Sequence, residues 1–296
     1  MRPCPDILLC PICGSTLTGK DRMFRCHQGH AFDQSREGYV NLLVAGHGTS
    51  APGDTKEMVR ARRRFLDTGV FRPLSDALNQ TVFEIVSARS DPGQNRERAL
   101  TVLDVGCGEG YYVGRLGSYL KQQMGDRPLC LYGMDAAKEA TRLGARRHTH
   151  VQFFVAYVRN RLLFPNNAVQ IILNIFAPRD AAEFARVLAA DGAAFVIIPN
   201  PDHLTSLRSR LPLLSLEPDK REHLIADFAL AFTLLQERSL TFEVKLDAPA
   251  LRDLITMTPS YWHLGEEDWK ALESMGPCQV RASFTLLSFD RRPQTP

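Results

Sequence analysis

From Thr101 onward, short apolar runs alternate with segments of amphipathic, helical length. The runs "TVLDVG", "CLYGMD", "VQFFVA", "VQIILNIF", "AAFVIIPN", "TFEVKL" and "ASFTLLSF" have the length and the β-branched or aromatic content of strands. Between most of them lie stretches such as Tyr111–Met124 and Ala137–His148, each long enough for several helical turns. This alternation predicts an α/β fold, a doubly wound and mostly parallel sheet with helices on both faces. No internal repeat and no low-complexity tract interrupts it.

Upstream the pattern changes. In "EMVRARRRFLDTGVFRPLSDALNQTVFEIV", Met58, Phe65, Leu66, Leu74, Leu78, Phe83 and Val86 fall on helical stripes, with Gly69 and Pro73 marking a break. The Gly-, Pro- and Ser-rich loop "VAGHGTSAPGD" precedes this connector, and the polar "SARSDPGQNRERA" follows it. Three parts result: a small Cys-, His- and Gly-rich module over 1–44, a linker and helical connector over 45–100, and the α/β domain over 101–296.

A chain of 296 residues can bury a full core. Its longest apolar runs, such as Val169–Pro178, reach about half a bilayer span, so no membrane helix is expected. The opening "MRPCPDILLCPIC" lacks the charged start, apolar middle and small-residue cleavage site of a secretory signal. A cytoplasmic protein is therefore expected, with its seven cysteines serving as ligands or core residues rather than in disulfides. Lys and Arg number 36 against 33 Asp and Glu, too small an excess to mark a nucleic-acid binder by charge alone. Residues 1–72 nonetheless hold eleven basic and seven acidic side chains, which puts the basic surplus at the front.

Two constellations carry chemistry. Cys10 and Cys13 form a CxxC, and twelve residues later Cys26 and His30 form a CxxxH. Two short chelating pairs on two turns can supply the four tetrahedral ligands of a structural zinc ion, with His27 as a rival for the fourth. A redox CxxC would instead sit at a strand-to-helix junction, which is not visible here. Cys4, Cys130 and Cys278 are expected to be unliganded, and so small a module should depend on its metal to fold.

The second constellation is "VLDVGCGEGYY", Val102–Tyr112. A buried strand ends at Asp104, and Gly106, Gly108 and Gly110 let the backbone turn tightly beneath a ligand before a helix begins. A dinucleotide fingerprint would want glycine where Tyr111 stands. GxGxG after an acidic strand end looks instead like the S-adenosylmethionine loop of class I methyltransferases. The next strand ends in Asp135, where a carboxylate can accept from two ribose hydroxyls, or alternatively cap the helix that follows. Cys107 reads as an apolar filler.

At this point the residues resemble one family closely. The zinc module, "FDQSREGYVNLL", "PGDTKEMVRARRRFLDTGVFRPL", "LDVGCGEGYY", "IFAP" and "MTPSYW" occur in the same order in the bacterial 23S ribosomal RNA guanine-N1 methyltransferases, across nearly the whole chain. The resemblance implies zinc ligands at Cys10, Cys13, Cys26 and His30, and cofactor contacts at Gly108, Glu109, Phe71 and, in "NPDHL", His203. The sequence departs from the family at Phe71, where relatives can have tyrosine, at Asn174, and in "VAYVRNRLLF", Val155–Phe164, which is one residue longer and more basic. The implied function is methyl transfer to N1 of a guanine in a hairpin loop of 23S ribosomal RNA, with an influence on macrolide sensitivity among its implications and a homodimer left open.

Methyl transfer from a sulfonium is an in-line displacement, so alignment and exclusion of water matter most. N1 lies on the pairing edge of guanine, which calls for an unpaired or flipped base. Phe176 with Pro178, and Trp262 with Tyr261, are candidate platforms for such a base or, equally, ordinary core residues. No side chain stands out as the proton acceptor. In "RARRR", Arg60, Arg63 and Arg64 share a helical face that could meet phosphates or simply be solvated. Rival readings are a small-molecule methyltransferase, which leaves the zinc module idle, and a zinc-ribbon RNA-binding protein with a non-catalytic methyltransferase fold, against which the intact loop argues.

Overall fold

In the computed structural model, which describes residues 4, 6–44, 53–89, 98–157 and 161–292, the strands feed two cores by strict alternation. The amino-terminal module begins with three short antiparallel strands, β1 (Thr18–Lys20), β2 (Met23–Arg25) and β3 (Ala31–Asp33), followed by β4 (Val40–Asn41). The connector folds as α1 (Lys56–Asp67) and α2 (Arg72–Arg89), broken at Gly69 as the stripes predict; Thr55 caps α1 by accepting from the Met58 N–H.

The α/β part then runs β5 (Leu100–Val105), α3 (Tyr111–Met124), β6 (Leu129–Asp135), α4 (Lys138–Arg147), β7 (Val151–Val155), β8 (Val169–Ile175), α5 (Ala181–Val187) and β9 (Leu188–Pro199). The short α6 (Thr205–Arg208) and α7 (Lys220–Ala229) lead to β10 (Phe232–Leu246), α8 (Ala248–Thr256), a 3-10 turn at Pro259–His263, α9 (Glu266–Ser274) and β11 (Cys278–Arg291). One eight-stranded sheet has the order β10-β11-β9-β8-β5-β6-β7-β4. Its pairs are parallel from β4 to β9, and β11 lies antiparallel to both β9 and β10.

On β9, Ala193, Phe195 and Ile197 enter one core while Ala194, Val196 and Ile198 enter the other. The first core is covered by α1, α2, α3 and α8, the second by α5, α7 and the amino-terminal module. Three features differ from the sequence reading. Val40 and Asn41 of the module pair with Phe154 and Val155, adding an eighth strand to the large sheet. Leu8, Leu17 and Leu42 share a core with Phe154, Ala156 and Leu162, so the module is not packed apart from the α/β domain. Cys4 and Cys130, expected as unpaired thiols, form a disulfide with Cα atoms 5.5 Å apart, which puts Cys4 beside β6. Among the described residues no helix is long and apolar enough to cross a membrane. The loop read over 44–54, the polar stretch over 87–99 and the longer segment over 155–164 fall partly outside the described residues.

Candidate functional site

In the module, two knuckles bring the four sequence-nominated ligands together. The Cys10 N–H donates to Ser15 O and the Gly14 N–H to Cys10 O; in the second knuckle the Cys26 N–H donates to His30 O and the Gly29 N–H to Cys26 O. The ligand atoms of Cys10, Cys13, Cys26 and His30 all lie within 4.8 Å of one another, and His27 is not among them. Cys13 Sγ stands 3.6 Å from Cys26 Sγ, and His30 Nδ1 lies 3.6 Å from Cys10 Sγ and 3.4 Å from Cys26 Sγ. Zinc–sulfur and zinc–nitrogen bonds of ordinary length put tetrahedral corners about 3.5–3.8 Å apart, so the four atoms fit such an ion. Ser15, which the spacing did not flag, sits 3.1 Å from Cys13 Sγ and is the main reason that this thiol's pKa falls to about 6.

The second cluster surrounds the glycine loop. Gly106, Gly108 and Gly110 have φ of 78°, 56° and 79°, and the loop is stitched to the end of β6 by the Gly106 and Cys107 N–H groups donating to Met134 O. A Cβ on Gly106 would collide with Ala177, and one on Gly110 would sit 2.5 Å from the Phe153 ring. Glycine at 106 thus allows the "IFAP" segment to lie against the loop, whereas glycine at 110 serves packing.

Two carboxylates stand beneath and beside this loop. Asp104 is 1% exposed; no donor meets its oxygens at close hydrogen-bond geometry, and only the Val113 N–H reaches toward them. Burial, and then the neighbouring Asp135, push it up to about 8. Asp135 accepts from the Gly108 N–H and the Ala137 N–H, each at 2.8 Å, through different oxygens. Each oxygen keeps a lone pair for a hydroxyl, whereas Asp135 does not cap α4, whose N-cap is Ala137 without a side-chain bond. Burial raises this carboxyl also. The glycine loop, the buried Asp104 and the half-open Asp135 fit an adenosyl ligand bearing a positive charge.

The remaining sequence-nominated residues take different positions. Glu109 is 1% exposed and turns away from the loop's open side toward Arg147, 3.6 Å away; burial raises it to about 7, opposed by Arg147 and Arg63. Phe71, 3% exposed, is packed edge-on against Phe65 and Phe284 with centroids 5.0 and 5.2 Å away. His203, 8% exposed, accepts the Ser283 N–H at Nδ1, 3.2 Å away, and its ring lies 4.6 Å from that of Phe284. Burial lowers its pKa to about 4, so the neutral ring carries its proton on Nε2 and presents a donor.

The arginine run is not a free basic face. Arg60 pairs with Glu139, Arg62 with Asp54, Arg63 with Asp67 and Arg64 with Asp253. Three of these partners lie on other segments and are invisible to local spacing. Phe176 and Trp262 are both exposed. A cavity of about 660 Å³ lies between Cys10–Gly14 on one side and Ala156, Tyr157, Arg161 and Leu162 on the other, and its described lining includes none of the glycine loop.

Comparison with known proteins agrees with this arrangement. The zinc-ribbon family model described as "RlmA, N-terminal" matches residues 8–50. The 23S rRNA (guanine(748)-N(1))-methyltransferase of Streptomyces fradiae is 34% identical over 281 residues, covering 94% of this chain and 95% of that protein. Among solved structures, loganic acid methyltransferase with SAH matches with a TM-score of 0.50 at 12% identity, over 75% of this chain and 94% of that one. That likeness concerns the fold alone.

Proposed function

The chain belongs to the 23S rRNA (guanine-N1)-methyltransferase family, and from that premise we propose that it moves a methyl group from S-adenosylmethionine to N1 of a guanine in a hairpin loop of 23S ribosomal RNA. Bound S-adenosylmethionine supplies an electrophilic methyl group on a sulfonium. The chain's own residues bind and align. Gly106 and Gly108 leave the backbone bare beneath the cofactor, Asp135 accepts from its ribose hydroxyls, Asp104 faces its cationic end, and His203 offers its Nε2–H from the end of β9. Phe71 acts indirectly, by holding Phe284.

The observation that carries this reading is the packing of Ala177 on Gly106, which sets the acceptor-side loop against the cofactor loop. A nucleophile resting on the "IFAP" segment is then one van der Waals layer from the methyl donor, as in-line displacement requires. In this reading the module over 1–44 holds a structural zinc, since protein ligands fill all four positions, and it recognises RNA while the domain over 101–296 performs transfer. An rRNA substrate puts the enzyme at work in the cytoplasm.

The test is transfer of labelled methyl from S-adenosylmethionine to 23S RNA by the purified full chain. Nucleoside mass spectrometry should find N1-methylguanine, and reverse transcriptase should halt beside the modified base only after treatment. Methyl on ribose, on another base or on no RNA would refute the reading.

A further inference from the structure

Phe176 is the one exposed phenylalanine among sixteen, 43% accessible, where the other fifteen are buried or half-buried. It also has φ of 55°, a left-handed conformation that bulky side chains rarely adopt. A ring this exposed gains only part of the packing energy that could offset the strain, so hydrogen bonds and neighbours must help to enforce it.

They do so from both sides. The Phe176 N–H donates to Ile197 O at 3.1 Å. Asn174, fully buried, donates through Nδ2 to Val105 O at 3.1 Å and to Pro178 O at 2.9 Å, tying the loop's two ends to the strand that carries Asp104. Ala177, the next residue, rests on Gly106. One face of the Phe176 ring is backed by Phe284, with centroids 5.3 Å apart, and Phe284 is held in turn by Phe71 and His203. The result is a rigid aromatic surface at the carboxyl edge of the sheet, braced behind, open in front and one residue from the cofactor loop.

We propose that Phe176 is the platform on which the target guanine stacks while its N1 faces the methyl group. The assignment rests on the function proposed above and names the residue that meets its substrate. A planar purine suits a braced ring, because stacking needs a flat partner held still and is indifferent to the base's hydrogen-bonding edge, which stays free for reaction. Asn174 acts as a positioning residue, through the loop.

The experiment compares wild type, Phe176→Leu and Phe176→Tyr on a 23S hairpin transcript. It measures kcat/KM for RNA, S-adenosylmethionine affinity by calorimetry, and the fluorescence of 2-aminopurine placed at the mapped guanine. Phe176→Leu should lose on the order of 10- to 100-fold in kcat/KM, the usual worth of one stacked base, and leave the 2-aminopurine brighter in the complex. Phe176→Tyr should restore both, and cofactor affinity should stay within about twofold throughout. The proposal falls if Phe176→Leu methylates like wild type, if cofactor affinity drops in parallel, or if Phe176→Tyr fails to rescue. A wild type that methylates no hairpin overturns the substrate reading and this assignment together; an active wild type with an equally active Phe176→Leu overturns only the stacking.

Discussion

The Tyr261 hydroxyl donates to Glu57 Oε2 at 2.8 Å, joining residues 204 positions apart. Two further bonds lie along the same seam: Arg64 makes a forked contact with Asp253, and Arg62 donates to Met257 O at 2.9 Å. Helix α1 is thereby clasped to α8 and the 3-10 turn. Arg62 also lies over the cofactor loop, where a Cβ on Gly108 would meet its side chain at 3.7 Å. "PGDTKEMVRARRRFL" and "MTPSYW" are thus two halves of one wall beside the site, which accounts for the presence of both strings in a single chain.

Loosening the clasp should loosen the cofactor site. Tyr261→Phe removes one hydrogen bond and is expected to cost about 0.5–1.5 kcal/mol of stability, with weaker S-adenosylmethionine binding in calorimetry. Arg64→Ala should cost less, about 0–1 kcal/mol, because Arg64 is 60% exposed. A double-mutant cycle of Tyr261→Phe with Glu57→Gln reads the coupling directly; strict additivity would show that the pair contributes no interaction of its own.

What could be read in the sequence follows from how local each determinant is. The Cys/His cluster and the glycine loop are set by spacings of a few residues, and the structure brings the ligand atoms of Cys10, Cys13, Cys26 and His30 within 4.8 Å of one another. Helix α3 coincides with the segment Tyr111–Met124 because Gly110 and Gly125 bracket it. The first half of β10, "FTLLQERS", was not legible as a strand: it is a polar edge strand with Leu235 exposed, and it exists through pairing with β11. The carboxylate partners of the arginine run were illegible for the same reason, since Asp54, Glu139 and Asp253 become its neighbours only after folding. The Cys4–Cys130 bond and the joining of β4 to β7 likewise depend on contacts more than a hundred residues apart, which no local pattern announces.

Arg147 should support the cofactor loop in a pH-dependent way. Glu109 titrates at about 7 in the folded chain against 4.5 as an ordinary carboxyl, so its burial favours the folded state at low pH, and that contribution is lost as pH rises through 7. Arg147 opposes the shift, and it also pairs with Asp67 at 2.6 Å. Arg147→Leu should therefore destabilise more at pH 8 than at pH 5.5, where Glu109 is protonated and only the Asp67 pair is missed. Thermal unfolding at both pH values checks this, and Glu109→Gln in the same chain should recover the extra loss at pH 8.

Removing the metal from the module should be felt in the large sheet. Cys13→Ser leaves three ligands, and because Leu8, Leu17 and Leu42 share a core with Phe154 and Leu162, the loss should lower the melting temperature of the whole chain rather than of a detached module. Ser15→Ala removes the group that lowers the Cys13 thiol, and should weaken zinc binding about 10- to 100-fold without unfolding. Chelator competition with a colorimetric zinc indicator measures both variants. Equal zinc retention by Ser15→Ala and wild type would show that the hydroxyl does not tune the site.

Asp104 should release a proton when the cofactor binds. Its oxygens are buried with only the Val113 N–H directed at them, and its pKa of about 8 means that the ligand-free protein at pH 7 holds the carboxyl mostly neutral. A cationic ligand placed against it favours the carboxylate, so binding lowers the pKa and expels the proton. Calorimetry at pH 7 in Tris and in phosphate should give different apparent enthalpies, and the proton count is read as wild type minus Asp104→Asn, which cancels ionisations of the cofactor itself. The same pKa fixes a stability effect. Folded Asp104 lies above its ordinary 3.8, so the stability associated with its proton is complete below about 4 and is lost as pH rises through 8. Asp104→Asn has no such loss, and should gain stability over wild type progressively from pH 5 to pH 8.5 in the absence of cofactor while binding S-adenosylmethionine more weakly. Equal proton counts in the two proteins would mean that Asp104 is already ionised before the cofactor arrives, and a stability difference that does not change with pH would mean the same.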